Sequence, residues 1–134
     1  MIKILFATVS VAFLMLTACN SKETPTPVTV VGDVNQRIDY FASHGWEAEE
    51  VSEKNITIPY EFSSLYEIYA SMQDKQGLPL RKYAGKTAKL FVYEIKNYNP
   101  YNKKMLAELL VCDNIAVASM VYSEDGGSLR MPVS

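Results

Sequence analysis

The stretch Thr87–Tyr122 reads TAKLFVYEIKNYNPYNKKMLAELLVCDNIAVASMVY, and its periodicity decides the fold. From Thr87 to Lys96 the residues alternate. Ala88, Leu90 and Val92 fall on one side, Phe91, Tyr93 and Ile95 on the other, which is the two-residue period of a strand. Met105–Cys112 and Ile115–Tyr122 are two further strands. Only Asp113 and Asn114 separate them, two residues that tolerate positive φ, as a tight hairpin requires. Glu108, Asp113 and Asn114 exclude a membrane span here. Asp125-Gly126-Gly127 then predicts a turn, with a short edge strand over Leu129–Val133.

Upstream lies a helical segment. Phe62, Leu65, Tyr66, Tyr69, Met72 and Gln73 share one face, Ser64 and Glu67 stand at capping-box spacing, and Gly77 and Pro79 stop the helix. Leu65, Tyr69 and Met72 are expected to face the sheet. An earlier helix is predicted over Val34–His44, capped by Asp33 with Gln36 and ended by Gly45. Trp46 follows, placed to pack back on Phe41. Trp46–Val51 and Lys54–Ile58 are two weaker strands. Strands gathered after helices predict an α+β domain. The expected form is a small antiparallel meander of three to five strands with two helices packed on one face.

The N-terminus carries a different message. Lys3 precedes an apolar run of 13 residues, Ile4–Leu16, broken only by Thr8 and Ser10. That is short of the roughly 20 residues a membrane-spanning helix needs and matches the apolar region of a signal peptide. Leu16-Thr17-Ala18-Cys19 follows and resembles the lipobox of bacterial lipoproteins. The resemblance implies a diacylglyceryl group on the Cys19 sulfur and cleavage after Ala18. Each buried methylene contributes about 0.8 kcal/mol, and two or more acyl chains make a stable anchor. Residues 1–18 are thus expected to be a removed leader, 19–32 a lipidated cysteine and tether rich in Ser, Thr and Pro, and 33–134 a single domain.

Lys3 is the only charged residue of the leader, so 12 of 13 basic residues remain against 15 acidic ones, a net charge of −3. This balance lacks the basic footprint that nucleic acid demands. With Cys19 alkylated, Cys112 has no partner within the chain. Its apolar setting, Leu109-Leu110-Val111-Cys112, reads as a small core hydrophobe rather than a nucleophile.

Five segments carry a resemblance: Ile58-Pro59-Tyr60-Glu61-Phe62, Tyr66-Glu67-x-Tyr69, Gln76-Gly77-Leu78-x-Leu80, Tyr83-x-Gly85-Lys86 and Asn97-Tyr98. Together they resemble the bacterial domain of unknown function numbered 4830, over roughly Arg37 to the C-terminus. The chain departs from that pattern at Ala70 and at Ala118-Ser119-Met120. The resemblance implies a small exported or membrane-tethered protein and carries over no catalytic residue.

Chemistry-bearing motifs are sparse. His44 is the single histidine and sits at a helix C-terminus, where a cation is favoured. No Cys/His cluster has metal-ligand spacing, and no glycine-rich phosphate loop occurs, so no cofactor is expected. Two features stand out. Arg81, Lys82 and Lys86, with Lys89, form a basic group suited to an anionic polymer or headgroup. Tyr98 and Tyr101, interleaved with asparagines, suit stacking on sugars or peptides. These residues are the expected binding surface. The expected function is a non-enzymatic binding module, lipid-anchored on the extracytoplasmic face of the cell membrane, with an envelope polymer, peptide or protein as partner. The alternatives are a small envelope hydrolase using carboxylates and an accessory or inhibitory subunit of a membrane complex.

Overall fold

A computed structural model describes residues 27–134; the expected leader and Cys19 lie outside them. The elements run α1 (Val34–Ala42), β1 (Ala48–Thr57), α2 (Ser64–Lys75), β2 (Thr87–Ile95), β3 (Met105–Cys112), β4 (Ile115–Ser123) and β5 (Arg130–Met131). Single 3₁₀ turns lie at Leu80–Tyr83 and Pro100–Asn102. All five strands form one antiparallel sheet in the order β1-β2-β3-β4-β5, so the fold is the α+β meander the strand pattern predicts. Asp113 and Asn114 both adopt positive φ, 52° and 63°, and close the β3–β4 hairpin as expected.

Alternation along the central strands splits the core in two. Phe91, Tyr93, Ile95, Met105, Ala107 and Leu109 pack with Tyr40 and Phe41 of α1. Ala88, Leu110, Cys112 and Ala118 pack with Ala70 of α2 and with Ile58 and Leu80. The helices therefore cover opposite faces, which corrects the expected packing on one. The physical reason is already in β2: both of its faces are apolar, and each needs a cover.

The weak strands Trp46–Val51 and Lys54–Ile58 are one strand, β1, with a register shift between Glu50 and Ser52. The irregularity absorbs the interruption that the charged run Glu49–Lys54 suggests. Asp33 forms the predicted capping box with Gln36. The N-cap of α2 is Ser63, one residue before the expected Ser64.

The phase of α2 also differs from expectation. Ala70 and Gln73 are buried on it and Tyr66 and Tyr69 are half-buried, whereas Leu65 is 71% and Ile68 67% exposed. The helix carries two apolar stripes. Phe62, just before the N-cap, forms one with Tyr66 and Tyr69; Leu65, Ile68 and Met72 form another roughly 90° away around the axis. The aromatic stripe wins the sheet because its rings cover more area. Tyr66 stacks on Tyr69 with ring centroids 5.5 Å apart, and Phe62 packs at a tilt against Tyr66 at 4.7 Å.

The outer edge of β4 is closed by three devices in turn. Val31 donates its N–H to the Asn114 carbonyl and Ala116 donates to Thr29, so Thr29–Val31 pairs with the start of the strand. Gln73 of α2 pairs with Ser119 in the middle. β5 pairs with Val121 and Tyr122 at the end. Unpaired edges invite association, and this one has no open stretch of useful length. Val31, assigned to the tether from sequence, is fully buried as a result.

Candidate functional site

The five residues expected to form a binding surface do not come together. Arg81, Lys82 and Lys86 lie before β2, and Tyr98 and Tyr101 lie after it. Nine strand residues separate the groups, about 30 Å at roughly 3.3 Å per residue. Arg81, in the 3₁₀ turn after α2, is engaged by that helix, with Asp74 at 2.9 Å and Glu67 at 2.8 Å. Both carboxylates raise the Arg81 pKa through those hydrogen bonds. Lys82 and Lys86 are exposed. Tyr98 packs edge-on against Trp46, with ring centroids 5.8 Å apart. Tyr101 stands 86% exposed at φ 53°.

Two carboxylates sit in perturbed settings, on opposite faces. Burial works to raise the pKa of Glu50, but hydrogen bonds from Arg37 and Tyr93 outweigh it and hold the carboxyl below its ordinary range. Arg37 reaches Glu50 with Nε at 2.7 Å and lies 3.9 Å over the Phe91 ring. Every polar atom of that trio has work within the fold, so it reads as a structural strut. Glu108, on the other face, is raised by burial, with the hydrogen bond from Tyr69 and the charges of Arg130 and Lys54 pulling the other way. Its closest partners are phenols and cations. Among the described residues no group of three His, Cys, Asp or Glu is placed to hold a metal ion.

Among the described residues, two concavities exceed 400 Å³. A crevice of about 420 Å³ opens at the end of the sheet that α1 leaves uncovered. Glu53, Asn55, Lys89, Asp113 and Asn114 line it, with Arg37 at its side. Its mixed charges and its guanidinium, already committed to Glu50, give it no net preference for a ligand. The second is a groove of about 540 Å³ between α2 and the C-terminal tail, lined by Ile68, Met72, Ser71, Lys75 and Pro132. Gln76 holds the tail in place: its Oε1 accepts from the N–H of Val133 at 2.9 Å and of Ser134 at 3.2 Å. The groove is thus built before anything enters it. Leu65 extends its apolar wall along the helix, one turn before Ile68.

Sequence reasoning placed Leu65 and Met72 in the core and did not single out Ile68. The signal was present as a surplus: α2 has more apolar residues than one buried face can hold. No family model, curated protein or solved structure matches the chain, so the likeness to the domain family numbered 4830 rests on the quoted segments.

Proposed function

We propose that the protein is a lipid-anchored, extracytoplasmic and non-enzymatic binding module, with the groove beside α2 as its contact surface. The observation that carries the contact surface is the stripe Leu65–Ile68–Met72 on a well-capped helix, with Leu65 and Ile68 exposed and Met72 half-buried. Apolar side chains at i, i+3 and i+7 are the arrangement by which a helix meets an apolar partner. The anchor reading is supported by Leu16-Thr17-Ala18-Cys19 and the 13-residue apolar run before it. The expected tyrosine and basic surface receives less support, because its two halves flank opposite ends of β2.

A photo-crosslinking amino acid placed in living cells at Ile68, and separately at Asn55 in the polar crevice, tests the surface. Crosslinks to an envelope component from position 68 and none from position 55 are expected. The reverse pattern would move the contact surface to the crevice.

A further inference from the structure

We propose that the Leu65–Ile68–Met72 face of α2 rests in the interfacial layer of the same bilayer that holds Cys19. This rests on the lipid-anchored reading above and names the occupant of its contact surface.

Thr29–Val31 runs antiparallel to β4, with Val30 opposite Ile115 and the Thr29 carbonyl accepting from Ala116. Followed backwards, the chain therefore moves from Asn114 past Ala116 toward Ser119. Ser119 is where Gln73 docks α2 on the sheet edge. The segment leading to Cys19 thus leaves the domain on the α2 side.

Chain length then fixes how far the domain can stand from its anchor. Cys19 precedes Pro27 by eight residues. Fully extended, eight residues span at most about 28 Å. The 12 residues of α2 are about 18 Å long. The exit side of the domain is held within about one and a half helix lengths of the headgroups. The tether also makes the encounter intramolecular, so a modest apolar contact is enough to keep the face down.

Charge is compatible with this contact and makes it distinctive. Glu67 and Asp74 flank the stripe, and Arg81 pairs with both. Lys75, on the groove wall, supplies the second positive charge that balances the two carboxylates. A rim of this kind neither seeks nor avoids anionic lipid strongly. Contact is therefore driven by Leu65, Ile68 and Met72 and is insensitive to salt, unlike that of a basic amphipathic helix.

The test uses the full-length, lipidated protein reconstituted in phosphatidylcholine vesicles, with and without phosphatidylglycerol. An environment-sensitive dye is placed on Ser71→Cys in the groove or on Glu53→Cys on β1. Cys112 is buried and so spared by the label. The dye at position 71 is expected to be quenched by spin-labelled lipid and shielded from aqueous iodide, equally with both lipid compositions and at high salt. The dye at position 53 is expected to behave in the opposite way. Leu65→Asp/Ile68→Asp, at exposed sites that the core does not use, should abolish lipid quenching at position 71. Shielding from iodide without lipid quenching would mean that a protein partner or a second copy covers the groove, and would overturn the bilayer contact. Free access of iodide would overturn it as well. Both results leave the anchor intact, because fatty-acid labelling of Cys19 is read separately. Absence of that label would remove the anchor and this inference together.

Discussion

The side-chain amide of Gln73 pairs with both backbone groups of Ser119. It accepts from the Ser119 N–H at 2.8 Å and donates to the Ser119 carbonyl at 3.0 Å. A side chain on a helix thus takes the place of a neighbouring strand, at the one stretch of the β4 edge that neither the N-terminal segment nor β5 reaches. The Ser119 hydroxyl meets the Tyr40 hydroxyl of α1 at 2.7 Å, so one residue joins both helices to the sheet.

Gln73→Leu preserves volume but leaves the buried Ser119 N–H without its partner, while the carbonyl keeps Gln76 at 3.0 Å. An orphaned buried donor costs about 1–3 kcal/mol. Urea unfolding of the domain is expected to show a loss in that range, with an unchanged denaturant slope. A loss below about 0.5 kcal/mol would mean that the amide bridge does not hold α2 on the sheet.

Leu65 and Leu109 should respond very differently to truncation. Leu109→Ala empties a fully buried site and is expected to cost about 2–5 kcal/mol. Leu65→Ala sits on the exposed stripe and is expected to stay within about 0.5 kcal/mol of wild type. Parallel denaturation curves check the phase of α2, and equal losses would contradict it.

That phase marks the boundary of what the chain reveals before folding. The meander, the Asp113-Asn114 hairpin and the Asp33 box are local, set by alternation, turn chemistry and capping, and were legible. Which stripe of α2 is buried depends on the shape of the sheet beneath it, and a 3.6-residue period describes Leu65–Ile68–Met72 and Phe62–Tyr66–Tyr69 equally well. The amide bridge from Gln73 to Ser119 joins residues 46 apart in the chain and leaves no local trace. Of the expected site, Arg81 looked available only because its partners Glu67 and Asp74 are brought to it by the turn at Leu80–Tyr83.

The two perturbed glutamates pull stability in opposite directions with pH. Glu50 has a folded pKa below the ordinary 4.5, so its contribution is present above that value and is lost as pH falls through the folded pKa. Glu108 has a folded pKa above 4.5, so its contribution is full below that value and is lost as pH rises through the folded pKa. Glu108→Gln is expected to raise stability at neutral pH and flatten the loss on the alkaline side. Glu50→Gln is expected to flatten the loss on the acid side. Unfolding free energies from pH 3 to 8 decide, and an unchanged profile in Glu108→Gln would contradict the burial of that carboxylate.

The loop tyrosines should separate in the same way. Tyr98→Ala removes the edge-on contact with Trp46 and is expected to lower stability by about 1 kcal/mol, the scale of one aromatic pair. Tyr101→Ala removes an exposed ring and should leave the unfolding midpoint unchanged. A change in thermal midpoint with Tyr101→Ala would show that this ring is covered in solution.

The account as a whole depends on the state of Cys19. The most direct measurement is the intact mass of the protein extracted from cell membranes, together with fatty-acid labelling of the wild type and of Cys19→Ser. The account predicts a chain beginning at Cys19, heavier than its amino acids by a diacylglyceryl group, and no label in Cys19→Ser. A chain that retains residues 1–18 without added lipid, or label that persists in Cys19→Ser, would contradict it.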